Sequence, residues 1–295
     1  MTRRLEFTVP PAYDGRKVVH FLRGEAGCSY TLVRSLKTKE DGILLNGARA
    51  RTIDRLRAGD RLAITLRDGM GGAEPDGTPS VPLLYEDDDI AVYDKPAGMA
   101  CHPVRGMQSG TLANVFARDC RARGQEAVCR LMGRLDRDTS GAVVIAKNAF
   151  AAAALTGQVE KTYLALVTGA PEPRAGTVDA PVGQPDRADP RRRVTPDGKP
   201  AVTHYETLAA FPGYSLVRCT LGTGRTHQIR VHMAHIGCPL LGDALYGGDR
   251  ALIGRHALHC AGVSFTHPVS GVSLTVRAPV PKDMQKLAPD CVQTW

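Results

Sequence analysis

The stretch GRLDRDTSG, residues 133–141, runs directly into the apolar segment AVVIA, residues 142–146. A short apolar run after a turn is typical of a buried strand, so the stretch is predicted to lie at the mouth of a sheet. Asp136 stands between Arg134 and Arg137, and neighbouring cations favour the ionised form of a carboxyl group. An ionised Asp suits nucleophilic or base chemistry better than proton donation. The alternative is a surface cluster of ion pairs ahead of a strand.

The same stretch resembles the signature of the RluA-type pseudouridine synthases, which runs His-Arg-Leu-Asp, a basic residue, an acidic residue and Thr-Ser-Gly. Eight of its nine positions fit, and Gly133 stands where the family usually has His. The Asp of this motif is the family's catalytic residue, so the resemblance implies that role for Asp136. It also implies an enzyme that detaches uracil from ribose and rejoins it through carbon 5, without a cofactor. Arg134 would help to hold the target nucleotide outside its stack, because enzymes that act on a base must extrude it.

The run KTYLALV, residues 161–167, alternates so that Tyr163 shares a strand face with the apolar residues two and four positions on. A tyrosine can stack on a base and exchange a proton through its hydroxyl, although a half-buried Tyr with a structural role is the alternative. The run resembles a family segment whose Tyr sits against the target base, which implies an active-site role for Tyr163. The segment HALHC, residues 256–260, resembles the family's closing segment and implies that Leu258 packs against the base.

A third block is GTGRTHQIRVH, residues 222–232, in which Thr226 is predicted to cap the following helix. It matches a family motif completely, and in that motif the first Arg pairs with the catalytic Asp. The resemblance therefore implies that Arg225 contacts and orients Asp136. Arg230 falls five positions later, on a different helix face. The expected catalytic residues are Asp136, Tyr163 and Arg225. The expected substrate-binding residues are Arg134, Arg137, Arg230 and Leu258.

Positive charge is concentrated near the N-terminus. Residues 1–72 hold 14 Lys and Arg against 8 Asp and Glu, while the whole chain has a net charge of +8. This predicts a polyanion-binding segment, with a merely solvated basic face as the alternative. Two helical patterns, the second capped by Ser29, precede a strand and the turn Asn46-Gly47. This order resembles the small RNA-binding fold named after the fourth small-subunit ribosomal protein, which many RluA-type enzymes carry.

We therefore predict three segments: a basic RNA-binding module at 1–68, a flexible Gly/Pro-rich linker at 69–80 and a catalytic domain at 81–295. The catalytic domain shows many short strand patterns and few helical ones. The helical patterns are at 111–120, 148–156 and 226–236. This composition predicts an α+β fold, with a large, mostly antiparallel mixed sheet and flanking helices, beside a small N-terminal α/β module.

No cofactor or metal is expected. His232, His235 and Cys238 are spaced like zinc ligands, but on one helix they leave a fourth ligand to come from elsewhere. The chain has neither a P-loop nor a Gly-x-Gly-x-x-Gly motif, which disfavours a nucleotide cofactor. A basic loop with Arg191-Arg192-Arg193 and Lys199 is suited to phosphates, or is a solvated turn.

The eight cysteines lack Cys-x-x-Cys spacing, which favours reduced thiols in an intracellular protein. No stretch approaches membrane-spanning length, and we expect a cytoplasmic monomer. The sequence thus predicts an RNA pseudouridine synthase that acts on structured RNA, either rRNA or tRNA. One alternative is a non-catalytic RNA-binding assembly factor. Another is a glycoside hydrolase using Asp136 and Asp138, which would need its two carboxyl groups roughly 5–9.5 Å apart.

Overall fold

We describe a computed structural model of the 295-residue chain. It describes residues 2–67, 72–104, 106–125, 127–186 and 188–289. Within them, no helix combines the length and the apolar character needed to cross a membrane.

Residues 2–67, here called the N-terminal unit, form a four-stranded antiparallel sheet with two helices and their own apolar core. Its elements are β1 (Thr2–Thr8), α1 (Val18–Gly24), α2 (Tyr30–Leu36), β2 (Ile43–Leu45), β3 (Ala48–Arg49) and β4 (Arg61–Arg67). The oxygen of Ser29 accepts from the backbone N–H of Leu32 at 3.1 Å, so the predicted helix cap is confirmed. Asn46 and Gly47 have φ values of 52° and 85°, as a tight hairpin turn requires. The sequence analysis did not predict β1, in which Leu5 alone is buried.

The remaining described residues, 72–289, are here called the body. Its elements are β5 (Leu83–Glu86), β6 (Ile90–Lys95), α3 (Leu112–Ala122), β7 (Arg130–Leu131), β8 (Ser140–Ala146), α4 (Ala149–Leu155), β9 (Glu160–Thr168), β10 (Ala175–Asp179), β11 (Val182–Gly183), β12 (Arg193–Val194), β13 (Val202–Phe211), β14 (Tyr214–Leu221), α5 (Gln228–His235), β15 (Leu258–Thr266), β16 (Ser273–Arg277) and α6 (Lys282–Gln285). A ten-stranded sheet has the order β10-β13-β14-β9-β15-β8-β6-β5, with β16 beside β15 and β7 beside β8. This mostly antiparallel sheet with few helices confirms the predicted α+β class.

The parallel pair between β8 and β15 positions the site. Cys260 lies opposite Gly141, and a Cβ built on Gly141 would stand 2.1 Å from the carbonyl oxygen of Cys260. The glycine of the Thr-Ser-Gly sequence therefore allows the two backbones to approach closely. The turn that carries Asp136 is consequently held next to Leu258, the first residue of β15.

The N-terminal unit is docked on the body through a charged and an apolar contact. Arg3 donates to both carboxylate oxygens of the buried Asp89, at 3.2 and 3.1 Å, and its Nη1 lies 3.3 Å from Asp88. Phe150, in the first turn of α4, is buried within the core of the N-terminal unit. We call these four residues the docking contact.

The segment predicted as a flexible linker, 69–80, begins among residues outside the described part of the chain. Further along, Asn114 donates to the carbonyl oxygen of Glu74 at 2.7 Å, and Asp76 accepts from the backbone N–H of Gly110 at 2.7 Å. This portion is therefore fastened to the body around the start of α3.

Candidate active site

Asp136 lies in the turn between β7 and β8, and that turn is fixed by contacts on both sides of the residue. The Leu135 backbone N–H donates to Cys101 Sγ at 3.3 Å, and the thiol lies 3.4 Å from the Leu135 carbonyl oxygen. Thr139 Oγ1 lies 2.8 Å from Nε2 of the buried His256. The fold thus sets the position of the Asp136 carboxylate independently of the contacts that the carboxylate itself makes.

A buried ammonium braces the same turn. Lys95, the last residue of β6, is fully buried and donates to the carbonyl oxygens of Pro96, Met99 and Arg137 at 2.9, 2.8 and 3.0 Å. Burial lowers the pKa of this ammonium to about 8. Sequence analysis missed Lys95; its signal was a Lys that directly ends an apolar strand pattern and precedes Pro.

The guanidinium that contacts Asp136 belongs to Arg230. Its Nη1 lies 3.3 Å from Asp136 Oδ2, while its Nε and Nη2 donate to the two oxygens of buried Asp243 at 2.7 and 2.8 Å. The predicted contact between Arg225 and Asp136 is therefore wrong. Arg225 is exposed, and its Nε donates to the carbonyl oxygen of Pro200 at 3.0 Å.

The backbone ahead of α5 explains why Arg230, and not Arg225, contacts Asp136. His227 adopts a left-handed conformation with φ 59°, and α5 begins only at Gln228, so Thr226 is not the helix cap that was predicted. The side-chain oxygen of Gln228 instead accepts from the backbone N–H of Arg225 at 2.9 Å. The left-handed backbone at His227 therefore leaves Arg225 in the loop and places Arg230 on the helix face that meets Asp136.

Two further aromatic residues extend the contacts around Asp136, His227 directly and Tyr246 through His227 and Arg230, and sequence analysis missed both. His227 Nε2 lies 3.9 Å from Asp136 Oδ2, and its Nδ1 lies 2.8 Å from the hydroxyl of Tyr246. That hydroxyl accepts from the backbone N–H of Arg192 at 2.8 Å, and the guanidinium of Arg230 lies 4.9 Å from the Tyr246 ring centre. Burial lowers the pKa of His227, and the nearby Asp136 carboxylate opposes that shift. Tyr246 links the basic loop to the site; its sequence signal was the run GCPLLGDALYG, residues 237–247, which follows the 222–232 block.

Tyr163 and Leu258 line a cavity of about 480 Å³ together with Asp136. Both side chains are buried, on the adjacent strands β9 and β15. Burial raises the pKa of the Tyr163 phenol well above its usual range, and Cys260 and Asp136 raise it further. The phenol therefore stays protonated and offers its ring face or a hydroxyl, not a phenolate.

The remaining predicted substrate-binding residues divide between two places. Arg134 is exposed and lines the cavity, as does Arg225. Arg137 lies outside it: its Nε donates to the Gly98 carbonyl oxygen at 3.0 Å, beside a second depression of about 410 Å³ that also reaches Asp136.

The histidine with zinc-like spacing has a structural role. His232 Nε2 donates to the carbonyl oxygen of Ala180 at 2.9 Å, and Nδ1 lies 2.9 Å from Thr203 Oγ1. Both ring nitrogens are thus occupied by the fold, which leaves neither for a metal ion.

Ligand-type atoms of Asp87, Asp89 and His267 also lie within 4.8 Å of one another. Here too the fold uses the donor atoms: His267 Nε2 lies 2.9 Å from Asp87 Oδ2, and Asp89 binds Arg3 of the docking contact. These polar atoms therefore hold the fold together, and Asp89 alone among the three contacts the N-terminal unit.

Comparison with known proteins shows which family this chain resembles. The model of the family described as RNA pseudouridylate synthase matches residues 89–235. An uncharacterized RNA pseudouridine synthase of Bacillus subtilis, YhcT, is 38% identical over 97% of this chain and 96% of its own length. Ribosomal large subunit pseudouridine synthase D of Xanthomonas campestris is 41% identical over 84% of this chain and 81% of its own. The solved structure of human RNA pseudouridylate synthase domain containing 4 has a TM-score of 0.56 and 25% identity, covering 68% of this chain and 88% of that one.

Proposed function

Because this chain belongs to the RNA pseudouridylate synthase family and is a pseudouridine synthase acting on RNA, we propose that its substrate is large-subunit ribosomal RNA and that Asp136 starts the reaction. The substrate class is supported by several relatives named ribosomal large subunit pseudouridine synthase D, including those of Xanthomonas campestris and Xylella fastidiosa. The alternative substrate, tRNA, is an outcome of the experiment below.

The observation that carries the catalytic proposal is the contact between Asp136 and Arg230. One Arg230 nitrogen lies 3.3 Å from the carboxylate, and two others are fixed on Asp243, so the guanidinium orients Asp136 without freedom of its own. The cavity beside this carboxylate, about 480 Å³, is within the usual range for a small-molecule site and has room for an extruded nucleotide.

The reaction breaks the bond between ribose and uracil nitrogen 1 and forms a bond from the same ribose carbon to uracil carbon 5. Carbon 5 loses its proton and nitrogen 1 gains one, so atoms and electrons balance without a cofactor. Asp136 acts as a nucleophile or as a base in the first step. Tyr163, which lines the cavity, holds the detached uracil by its ring face while the base turns.

The N-terminal unit is proposed to bind RNA outside the cavity. The first 72 residues hold 14 Lys and Arg against 8 Asp and Glu. Tyr30 is 68% exposed at the start of α2, and the guanidinium of Arg23 lies 5.9 Å from its ring centre. An exposed aromatic ring with a cation beside it is suited to stacking on an unpaired base. Neutralising two exposed cations at the C-terminal end of α2, as in the double variant Arg34→Gln and Lys37→Gln, should weaken RNA binding and leave turnover at saturating RNA unchanged.

A cytoplasmic monomer is the proposed setting. The seven cysteines in the described residues are all free thiols, as in a reducing compartment.

The experiment is to incubate the purified protein with total RNA from cells that lack its gene and to map pseudouridine chemically at single-nucleotide resolution. New pseudouridine in large-subunit ribosomal RNA is expected. Modification confined to tRNA would overturn the proposed substrate. RNA that is bound but never modified would instead favour the assembly-factor alternative, and free uracil would favour the hydrolase.

A further inference from the structure

Gly133, which stands where the family usually has His, faces a lysine. Its φ is +91°, and a Cβ built on it would lie 2.8 Å from Nζ and 3.4 Å from Cε of Lys161. A side chain at position 133 and the ammonium of Lys161 therefore compete for the same space. The absence of a side chain at Gly133 leaves that space to the lysine.

Lys161 reaches this place from β9. It lies two residues before Tyr163, so the two side chains share a strand face, and both line the cavity. The lysine is half-buried. Among the described residues, neither a hydrogen-bond acceptor nor a carboxylate lies within bonding range of its Nζ. A partly desolvated ammonium without a counter-charge is stabilised when an anionic ligand arrives.

The charges that line the cavity show which part of the substrate would supply that anion. Asp136 is the one carboxylate among the described lining residues, and Arg230 already binds it. Three lining cations, Arg134, Lys161 and Arg225, have no carboxylate partner within the part of the chain that the structure describes. In a ribonucleotide the anionic groups are the phosphodiesters, whereas the uracil oxygens are neutral.

We propose that Lys161 is a substrate-binding residue that contacts a phosphodiester flanking the target uridine, and that Gly133 leaves the room for its ammonium. This rests on the proposed function, because it places a ribonucleotide in the cavity. The contact fixes the nucleotide from its backbone side while Tyr163, on the same strand face, meets the base.

The test compares Lys161→Gln with Lys286→Gln, which makes the same change of charge at an exposed lysine outside the cavity. Both variants and the wild type are given total RNA from cells lacking the gene, and single-turnover rates at the mapped uridine are measured against protein and salt concentration. Lys161→Gln should weaken the apparent affinity about tenfold and flatten its logarithmic salt slope by about 0.7, as the loss of one phosphate contact predicts. The maximal rate should change by less than about threefold, since a residue that binds the ground state acts on affinity. Lys161→Arg should restore the salt slope.

Each other outcome has a distinct meaning. Wild-type protein that modifies no RNA would refute the proposed function itself. Active wild-type protein with an unchanged affinity for Lys161→Gln would overturn the inference, and so would a weakened affinity with an unchanged salt slope, because the contact would then be to a neutral group. Circular dichroism and melting temperature check that each variant is folded.

A double-mutant cycle tests the part played by Gly133. Gly133→Ala places a methyl group against Nζ and strains the backbone, so it should lower both the rate and the affinity. In the Lys161→Gln background the loss of affinity should largely disappear, because the ammonium it displaces is gone. Equal losses of affinity in the two backgrounds would show that Gly133 and Lys161 act independently.

Discussion

The cavity has a floor, formed by Asp136 and the buried Arg230, and an exposed rim, which carries Arg134 and Arg225. The charges are paired on the floor and unpaired with carboxylates, among the described residues, on the rim. On the floor, Arg230 has a side chain that is 8% exposed and binds both Asp136 and Asp243. On the rim, Arg134 and Arg225 are exposed, and neither has a carboxylate partner within the described residues. A buried pair holds its geometry and is little screened by salt, whereas exposed cations are free to meet phosphates and are screened. The floor is therefore suited to turnover and the rim to RNA affinity.

The largest effect should come from the floor. Asp136→Asn keeps the shape of the side chain but removes the charge that starts the reaction, so turnover should fall by about 10³-fold or more. RNA affinity should stay close to that of the wild type, because the rim is intact. Pseudouridine mapping after single turnover, with a parallel binding titration, measures both. Quantitative modification by the variant would show that another residue starts the reaction.

Two buried histidines that contact the residues following Asp136, His256 at Thr139 and His259 at Ser140, should make stability depend on pH. Burial lowers the pKa of His256 and His259 to about 4 each, below the usual 6.5. At pH 7.5 both imidazoles are neutral in the folded and in the unfolded protein. As the pH falls below about 6.5, the imidazoles are protonated in the unfolded chain but stay neutral in the folded protein. The free energy of unfolding therefore decreases until the pH reaches about 4. Each histidine should remove about 2 kcal/mol of unfolding free energy between pH 7.5 and 5.

Urea denaturation at the two pH values measures this loss. His259→Gln should make the dependence shallower by about half of that total. An unchanged dependence in the variant would place the responsible group elsewhere.

Arg230 and Arg225 allow a direct comparison of the floor with the rim, because the same substitution, Arg to Lys, can be made at both. Arg230→Lys keeps the charge but cannot bind Asp136 and Asp243 together through a planar fork, so turnover should fall well over tenfold. Arg225→Lys is the matched control and should change turnover by less than about twofold. Single-turnover rates at saturating RNA decide. The reverse order of the two effects would restore the contact that the sequence motif suggested.

The smallest effect should be at the rim. Arg225→Gln removes one exposed cation and should weaken RNA affinity only a few-fold, with a salt slope flatter by about 0.7–0.9. Turnover at saturating RNA should be unchanged. A salt titration of binding is the measurement, and a slope equal to that of the wild type would mean that Arg225 meets solvent rather than phosphate.

Local patterns predicted what depends on neighbouring residues. The cap at Ser29, the Asn46-Gly47 turn and the buried run of β8 follow from propensity and periodicity, and the structure confirms them. The resemblance also selected Asp136 and Tyr163, which the structure brings to one cavity.

The sequence did not predict correctly which arginine side chain points to Asp136 after the loop that precedes α5. The motif gave the spacing of Arg225 and Arg230, but the left-handed backbone at His227 decides which of them faces Asp136. The contacts of Lys95 with Arg137 and of Tyr246 with His227 join residues from separate segments of the chain, so a local pattern does not show which partners will meet.

The docking contact makes the distance between the N-terminal unit and the cavity a fixed quantity. Arg3 is held on Asp89, and Phe150 packs in the core of the N-terminal unit, so removing that unit would expose Phe150 and would take away the cation that pairs with Asp89. If the N-terminal unit binds RNA as proposed, the protein contacts its RNA at two places, the N-terminal unit and the cavity, whose separation is fixed. Such an enzyme selects its substrate by distance. A uridine is accepted when the folded RNA holds it at that distance from the RNA segment bound to the N-terminal unit, whatever the nucleotide sequence between them.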